Sequence, residues 1–437
     1  LREAGLGPGR GVAIRTGVSP EAFALHIAAH VAGCRVVGVR PGYAAGQLAQ
    51  VLGTGVDAVI ADAATPDLTA AAGPIPVVPI GKLMNGRPSF DVLGRPDDVA
   101  LLAFTSGSTG RPKGCAFTYR ALSGHWAWQP DAWGRVAMEF AAAFERYMLF
   151  GTLASMVVLE FLAPCLLGGG TAVIPEDDGR PLFPYAIERY GITGSIVTVP
   201  RLGQMLGLLR DEPANVGSLR ALMVSGSPLG PHRLAEAVER LGPVVYNGYG
   251  QTEAGSVSML TPADGMSPSV GRPHPGVEIS VRAGEIQLRS PYMMAGYWDD
   301  PGETRDVLRD GWLRTRDLGR LDNDGHLHLD GRARDVVMVN AMVVYAGPIE
   351  RVLAAHPDVA EAYVAGAPDE ETGEAVHAFV VPADGRSPDH AALRALVQGE
   401  LGADGVPRTI TVVPGVPAAA SGKPDKRALL AAYPPRL

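Results

Sequence analysis

Apolar runs of strand length alternate with amphipathic runs of helix length at the start of the chain. The strand-type runs lie at 12–15, 36–39 and 58–61, and the helix-type runs lie at 20–32 and 44–52. The first helix-type run follows Ser19 and begins with Pro20, a typical helix start in which a serine hydroxyl caps free N–H groups. Apolar strands separated by helices predict a parallel sheet with both faces covered.

The same alternation returns in the middle of the chain. An apolar stretch at 148–167 is interpreted as one buried helix that contains Glu160 and is ended by glycines at 168–170. Further strands are predicted at 171–174, 195–199, 219–224 and 244–246, and further helices at 185–190, 201–209 and 232–241. Polar loops follow several of these strands, at the strand ends where open α/β sheets bind ligands.

The pattern changes at about residue 276. Short, turn-bounded β runs at 277–281, 285–288 and 326–329 predict a small antiparallel unit. A charged junction at 332–335 is followed by helices at 347–355 and 391–401 and strands at 359–364, 376–381 and 409–413. We therefore predict an α/β protein with a large N-terminal domain of stacked sheets at 1–331, whose β-rich subdomain covers 276–331. A small mobile α+β domain at 332–437 follows a hinge at 332–335.

Composition narrows the class of protein. The chain has 437 residues, of which 46% are hydrophobic, so it forms a large core and more than one domain. A formal net charge of -8 gives no electrostatic case for binding nucleic acid or an anionic membrane. No apolar run is long enough to span a bilayer, and no signal peptide is recognisable. Three scattered cysteines lack metal-ligand spacing, which favours a reducing, cytoplasmic compartment.

A glycine-rich polar loop follows a buried strand-type run and carries the first candidate chemistry. Its residues are Thr105, Ser106, Gly107, Ser108, Thr109 and Gly110, followed by Lys113. Glycines let backbone N–H groups face an anion, hydroxyls add donors, and lysine adds a point charge, so the loop suits a polyphosphate. It is not the P-loop pattern, because Lys113 precedes a glycine rather than Ser or Thr. The alternative is a polar surface linker.

Lysine is rare, since it stands at only four positions: Lys82, Lys113, Lys423 and Lys426. Together with the loop at 105–110, the segments at 246–253 and 417–423 give the chain a resemblance to the adenylate-forming superfamily. That superfamily contains acyl- and aryl-CoA ligases, adenylation domains of nonribosomal peptide synthetases, and luciferases. The resemblance covers essentially the whole chain in the right order. Members usually carry further residues before the equivalent of Leu1, so we expect a longer N-terminus.

The resemblance implies a two-step reaction. A carboxylate and ATP, with Mg²⁺, give acyl-AMP and pyrophosphate, and a thiol of CoA or of a phosphopantetheine carrier protein then takes the acyl group. The implied partners are a small carboxylic acid and a carrier protein, with no nucleic acid and no membrane span, in a monomer or a homodimer. Two further hypotheses stay open: a non-thiol acceptor, and a non-catalytic nucleotide-binding scaffold.

The resemblance also implies roles for the nucleotide site. The loop at 105–110 and Lys113 would grip the β- and γ-phosphates, Tyr249 would stack on adenine, Thr252 would bond the α-phosphate, and Glu253 would hold Mg²⁺. The remaining implied nucleotide and acyl contacts are Gly226, Ser227, Pro228, Asn247 and Gly250. An ordinary core aromatic is the alternative for Tyr249, and a solvated acid at a helix start is the alternative for Glu253.

Further roles fall in the second half of the chain. Asp317 would accept hydrogen bonds from both ribose hydroxyls, although Arg316 stands where the family normally has glycine. Arg332 would contact the ribose or a phosphate, and Arg334 would be the hinge, unless both belong to a charged surface turn. Lys423 would bridge the carboxylate and the α-phosphate; the alternative is a solvated lysine near the C-terminus.

The acyl pocket is where the resemblance is weakest. Three tryptophans cluster at 126–133, and Glu145, Glu160 and Gly248 are the candidate pocket residues beyond them. Glu145 would pair with a substrate amine, or else form a salt bridge with Arg146 or stand as an acid at a helix start. CoA ligases usually carry paired glycines after the hinge, where this chain has asparagine, alanine and methionine at 340–342, so thiol transfer by the usual route is less certain than adenylation.

Overall fold

Two seven-stranded sheets form the centre of the protein, and two smaller sheets follow them. The computed structural model describes residues 1–84, 91–105, 112–332, 335–339, 342–369, 372–401, 403–419 and 422–434. Within these residues, single 3₁₀ turns lie at Arg2–Ala4, Ile80–Lys82, Pro130–Ala132, Pro262–Asp264 and Ala403–Gly405.

The first sheet confirms the predicted parallel arrangement. Its strands from the first part of the chain are β1 (Gly11–Arg15), β2 (Arg35–Gly38), β3 (Val56–Ala61), β4 (Val77–Pro79), β5 (Val99–Thr105) and β6 (Lys113–Thr118). The helices are α1 (Pro20–Val31), α2 (Ala45–Leu52), α3 (Pro66–Ala72) and α4 (Tyr119–Ser123). Strands β1 to β5 are parallel in the order β5-β2-β1-β3-β4, and β6 pairs antiparallel with β5. Ser19 caps α1, because its hydroxyl accepts from the N–H of Ala22 at 3.0 Å.

The second sheet repeats this alternation. Its strands are β7 (Arg146–Met148), β8 (Thr171–Val173), β9 (Gly194–Thr198), β10 (Ala221–Ser225), β11 (Val245–Gln251), β12 (Gly255–Leu260) and β13 (Arg272–Pro273). Its helices are α5 (Arg135–Ala143), α6 (Met156–Leu167), α7 (Leu182–Tyr190), α8 (Val199–Asp211) and α9 (Pro231–Leu241). The order is β13-β12-β11-β10-β9-β7-β8, parallel from β8 to β11 and antiparallel beyond.

Two sequence predictions in this region are wrong. The apolar stretch at 148–167 is not one helix, because β7 ends at Met148 and α6 begins at Met156. Buried strands and buried helices both give continuous apolar runs, so periodicity does not separate them. The polar segment at 247–251 is a strand and not a loop, because β11 continues to Gln251 and pairs with β12. That antiparallel pairing was not visible from a polar, glycine-containing sequence.

The third sheet is antiparallel, as predicted for the β-rich region. Its elements and their neighbours are β14 (Glu278–Arg282), β15 (Glu285–Arg289), β16 (Gly296–Tyr297), α10 (Pro301–Val307), β17 (Leu308–Arg309), β18 (Trp312–Leu321) and β19 (Leu327–Arg332). Strand β16 leaves this sheet and pairs with β6 of the first one. Strand β18 pairs with β15, β17 and β19, although its charged sequence predicted no strand.

The fourth sheet forms the core of a small C-terminal α+β domain. Its elements are β20 (Val336–Val339), β21 (Met342–Tyr345), α11 (Ala346–Ala354), β22 (Val359–Asp369), β23 (Gly373–Pro382), α12 (His390–Leu401), β24 (Thr409–Val412) and α13 (Lys426–Ala432). The long β22–β23 hairpin is antiparallel, and β24 lies parallel to β23. The boundary at 331/332 stays a prediction. No helix in the described ranges combines the length and hydropathy that crossing a membrane requires.

A buried ion-pair network joins the C-terminal sheet to α9. The guanidinium of Arg233, 5% exposed, contacts Glu361 of β22 at 2.6 Å and Glu236 of its own helix at 2.9 Å. The hydroxyl of Tyr363 donates to the second oxygen of Glu361 at 2.9 Å. Buried charges are tolerated only when they are paired and hydrogen-bonded, so this network favours one orientation of the C-terminal domain over others.

We predict that Glu361→Gln destabilises the protein by about 1–3 kcal/mol, because hydrogen bonds between charged groups in buried surroundings contribute that much. Urea unfolding followed by tryptophan fluorescence measures the change. Glu145→Gln is the matched control, since Glu145 pairs with Arg220 at an exposed site where an ion pair contributes less than about 1 kcal/mol. Equal losses in the two variants would contradict a specific role for the buried network.

Candidate functional site

The first part of the candidate site lies where β5 ends and β6 begins. Thr105 ends β5 and Lys113 begins β6, so the glycine-rich segment connects two hydrogen-bonded neighbours. Its central residues lie outside the described part of the chain, namely Ser106, Gly107, Ser108, Thr109 and Gly110. Their phosphate-binding role stays a prediction, whereas the position of Lys113 can be examined directly.

Lys113 lies in a cluster of charged and aromatic side chains that joins three elements. Its ammonium contacts Oε1 of Glu303 on α10 at 2.9 Å and lies 5.3 Å from the centre of the Tyr297 ring. The Tyr297 hydroxyl donates to Oε1 of Glu253 at 2.8 Å. The hydrogen bond from Lys113, reinforced by Arg316, lowers the pKa of the Glu303 carboxyl below its usual range. Lys113 and Glu253, far apart in sequence, therefore lie next to the same tyrosine, one near its ring and the other at its hydroxyl.

Tyr249 on β11 faces the third sheet through its hydroxyl. The hydroxyl donates to Oδ2 of Asp317 at 2.6 Å, and the ring is buried. Burial, together with the negative charge of Asp317, raises the pKa of Tyr249 well above its usual value. A buried tyrosine hydroxyl usually has a hydrogen-bond partner, so this contact agrees with both interpretations of Tyr249, and stacking on adenine stays a prediction.

Asp317 lies in β18, opposite Arg332 of the paired strand β19. Besides the bond from Tyr249, its carboxylate contacts the Nε of Arg332 at 3.1 Å, and its N–H donates to the Thr315 hydroxyl at 3.0 Å. Asp317 itself is buried, whereas the side chain of Arg332 is largely exposed. Both oxygens of the Asp317 carboxylate thus have a partner, of which Tyr249 is buried and Arg332 is largely exposed.

The C-terminal domain brings Lys423 to the same place. Burial and the nearby charge of Arg332 lower the pKa of the Lys423 ammonium, and Asp317 and Glu253 partly oppose that shift. A side chain at the preceding Gly422 would lie 3.2 Å from Thr198, which ends β9 of the large domain. A freely solvated lysine near the C-terminus does not fit these surroundings.

The glycine-containing turn after β10 lies next to Thr198. Gly226 in this turn has φ +94°, and a side chain there would approach Thr198. The buried hydroxyl of Ser227 has no hydrogen-bond partner among the described residues. Pro228 follows in the same turn. The unpaired hydroxyl of Ser227 is available to a ligand.

Some residues of β11 belong to the candidate site, and others pack inside the sheet. Asn247 is buried and donates to the carbonyl of Ser269 at 3.4 Å, so its amide faces the sheet interior rather than Asp317. A side chain at Gly248 would lie 3.1 Å from Met259. The space beside Gly248 is therefore open to a ligand only while position 248 carries a small residue. A side chain at Gly250 would lie 2.4 Å from the Gly255 carbonyl, so the tight β11–β12 turn that presents Thr252 and Glu253 requires glycine.

Glu145 does not join the site, which corrects its prediction as a pocket residue. Its carboxylate is 63% exposed and contacts Arg220 at 2.9 Å, not the neighbouring Arg146. It precedes β7 and therefore lies at the amino ends of the parallel strands, the edge opposite the candidate site.

Glu160 is fully buried beneath the β11–β12 turn. Its Oε1 accepts from the Trp126 indole at 2.6 Å and from the Ser256 N–H at 3.2 Å, and the His125 ring nitrogen lies 3.3 Å away. Its Oε2 has no hydrogen-bond partner within the described ranges. These contacts anchor the turn that carries Glu253, and direct contact with a substrate stays a prediction.

A cavity of about 230 Å³ lies beside this anchor. Trp126 stacks on His274 at 4.3 Å, and both residues line the cavity. Burial lowers the pKa of His274 to about 4, so the ring is neutral at ordinary pH. The three tryptophans at 126–133 indicated a pocket in this part of the sequence, but nothing in the sequence indicated that His125 and His274 line the cavity.

The sequence reasoning also missed Tyr297 and Glu303, which lie between Lys113 and Glu253. A local run of tyrosine, tryptophan and acids at 297–303 was the available signal, but such a run is typical of many surface turns.

Comparison with known families gives two matches along the chain. The model described as AMP-binding enzyme matches residues 1–298, and the model described as AMP-binding enzyme C-terminal domain matches residues 348–423.

Curated relatives are similar over about three quarters of this chain. A medium/long-chain-fatty-acid–CoA ligase, FadD8 of Mycobacterium tuberculosis, is 31% identical over 77% of this chain and 62% of its own length. An indoleacetate–CoA ligase of Aromatoleum aromaticum is 32% identical over 76% of this chain and 66% of its own length. The chain thus spans less than two thirds of the length of these two relatives.

A solved structure is similar over nearly the whole chain. The amide bond synthetase McbA from Marinactinospora thermotolerans has a TM-score of 0.81 and 36% identity, covering 99% of this chain and 92% of that one. The likeness confirms the predicted α/β architecture with a large N-terminal and a small C-terminal domain.

We predict that Lys423 titrates below the 10.5 expected of a free lysine. Reductive ¹³C-methylation and NMR measure this, because the chain has only four lysines, and Lys423→Arg assigns the signal. Asp317→Asn should lower the pKa further, since the negative charge of Asp317 stabilises the protonated ammonium. An unchanged or raised pKa in Asp317→Asn would contradict the placement of Lys423 beside Asp317.

Proposed function

Because the chain belongs to the AMP-binding enzyme family, we propose that it activates a small carboxylic acid with ATP. The carboxylate forms acyl-AMP and releases pyrophosphate, and the acyl group then passes to the thiol of CoA or of a phosphopantetheine carrier protein. The observation that carries this proposal is the packing of the Lys423 segment of the C-terminal domain against the large domain, where a side chain at Gly422 would lie 3.2 Å from Thr198 and where the charges of Asp317 and Glu253 act on the Lys423 ammonium. A non-catalytic scaffold has no need of a partly buried lysine at that place.

In the first step a carboxylate oxygen attacks the α-phosphorus, and the bond from that phosphorus to the bridging oxygen of pyrophosphate breaks. Lys423 offsets charge on the incoming carboxylate and the α-phosphate, and Lys113 offsets charge on the departing pyrophosphate. Asp317, fixed by Tyr249, accepts the ribose hydroxyls and so sets the position of the α-phosphate. Thr252 adds a hydrogen bond to the α-phosphate.

Glu253 fits the requirement of Mg²⁺ for a hard oxygen ligand, because its carboxylate is held by the Tyr297 hydroxyl at the centre of the cluster. The ion supplies neutralisation of phosphate charge when bound. The cytoplasm suits this chemistry, and the three cysteines, Cys34, Cys115 and Cys165, are free and buried.

A thiol acceptor is supported by the curated CoA ligase relatives. In the second step the thiolate attacks the acyl carbon, the bond from that carbon to the phosphate oxygen of AMP breaks, and AMP leaves. Arg334, which lies outside the described residues, remains the proposed hinge about which the C-terminal domain turns between the steps.

An amine acceptor is the second candidate. The structural relative that is 36% identical over almost the whole chain is titled an amide bond synthetase. In addition, this chain has residues with side chains at 340–342, where CoA ligases usually carry paired glycines beside the thiol tunnel. Attack by an amine on the acyl carbon would release AMP and one proton and give an amide.

We predict that Lys423→Ala lowers carboxylate-dependent ATP–pyrophosphate exchange at least about 100-fold, the usual effect of removing one charge-stabilising group, with ATP binding largely retained. Exchange with radiolabelled pyrophosphate over a panel of acids, together with ATP calorimetry, measures both. Lys82→Ala is the control, because Lys82 lies in a 3₁₀ turn away from the cluster. Wild-type protein that binds ATP but exchanges with no acid would favour the scaffold.

We predict a thioester when CoA or a phosphopantetheinylated carrier is added to wild-type enzyme with an active acid. Mass spectrometry of the products identifies it. A panel of amines run in parallel provides the comparison, and an amide without any thioester would replace the thiol proposal by the second candidate.

A further inference from the structure

Arg316 occupies a backbone conformation that arginine rarely adopts. Its φ is +60°, inside β18 and at an irregularity in the pairing of β18 with β15. Side chains other than glycine are strained in this region, and the family that the sequence resembles normally has glycine at this position. Strained residues cluster at functional sites, and Arg316 directly precedes Asp317, so the contacts of the Arg316 side chain are of interest.

The side chain of Arg316 ends at the carboxylate that holds Lys113. Nη1 of Arg316 contacts Oε1 of Glu303 at 2.8 Å, and the Lys113 ammonium contacts the same oxygen at 2.9 Å. All three side chains are only partly exposed, at 24%, 24% and 19%. Two cations share one carboxylate oxygen here, so neither has that oxygen to itself.

The backbone of Arg316 is also fixed. Its N–H donates to Oε1 of Glu285 at 3.2 Å, and the second oxygen of Glu285 contacts Arg314 at 2.7 Å. The guanidinium is therefore held beside the candidate phosphate ligand Lys113 before any nucleotide arrives, on the residue that precedes the candidate ribose ligand Asp317. Such preorganisation lowers the entropy lost on binding.

Building on the proposed function, we propose that Arg316 is a second phosphate-binding cation, which holds the pyrophosphate end of ATP together with Lys113. A planar guanidinium offers paired donors that match phosphate oxygens, whereas lysine provides a point charge. Glu303 keeps both cations in place, and the phosphates take over as their partners. The strain at Arg316 is then the cost of a phosphate contact that glycine could not make.

The test compares pyrophosphate with AMP as ligands of the whole protein. Calorimetry with magnesium pyrophosphate, ATP and AMP should show about tenfold weaker binding of pyrophosphate and ATP to Arg316→Gly, and unchanged binding of AMP, which lacks the outer phosphates. Thermal unfolding should show an equal or higher midpoint for Arg316→Gly, because glycine relieves the strain. A purely structural arginine would not separate the two ligands in this way.

Two further variants sharpen the comparison. Arg316→Gln keeps a side chain in the strained conformation but removes the charge, so it should also bind pyrophosphate about tenfold more weakly. Arg314→Gln is the matched control, because it removes a cation from the same strand whose partner is Glu285, and it should bind pyrophosphate like the wild type.

The outcomes separate this inference from the proposed function. Wild-type affinity for pyrophosphate in both Arg316 variants would overturn the inference alone, as would equal losses of AMP and pyrophosphate binding. Selective loss of pyrophosphate and ATP binding in both variants would support it, even if wild-type enzyme exchanged pyrophosphate with no acid and the proposed function failed. Wild-type protein that bound neither ATP nor pyrophosphate would overturn both.

Discussion

The site depends on the position of the C-terminal domain, which brings the Lys423 ammonium under the influence of the charges of Asp317 and Glu253. Neither domain alone contains all three residues, because Asp317 and Glu253 belong to the large domain and Lys423 follows the last strand of the small domain. In the same orientation of the domains the C-terminal sheet contacts α9, where the buried guanidinium of Arg233 binds Glu361. The assembly of the site therefore depends on the orientation of the C-terminal domain.

Opposite charges organise the rest of the site without a ligand. Glu303 pairs with Lys113, Asp317 pairs with Arg332, and the Glu253 carboxylate is held by a tyrosine hydroxyl. Glu303 and Asp317 each hold a cation near the place where phosphate charge would arrive, and each pairing lowers the energy of partly burying the charges involved. A ligand that carries phosphates can exchange with these carboxylates as the partner of the cations.

Local signals predicted the parts of the fold that local chemistry determines. The strand–helix alternation and the cap at Ser19 appear as predicted, with strand ends shifted by one or two residues. Strand β18 was missed because the residues that face solvent along it are arginines, which hide the buried alternation of Leu313, Thr315 and Asp317. Charged strands of this kind are recognisable only from their partners.

Contacts between residues far apart in sequence could not be predicted from pattern. Arg233 and Glu361 are 128 positions apart, and no motif connects them. Glu145 and Glu160 looked equivalent as isolated acids, yet one lies at the exposed amino edge of the sheet and the other is buried under the β11–β12 turn. The motifs indicated the nucleotide chemistry, whereas the pocket for the acid depends on such distant contacts.

A disulfide across the domain boundary tests the central claim most directly. A side chain at Gly230, before α9, would place its Cβ 3.8 Å from that of Ala354 on α11, the mean separation in disulfides of about 3.8 Å. The oxidised Gly230→Cys/Ala354→Cys protein should keep carboxylate-dependent pyrophosphate exchange and lose acyl transfer, with transfer restored by reductant. Loss of exchange on oxidation, reversed by reductant, would contradict the claim that this domain orientation is the adenylating one.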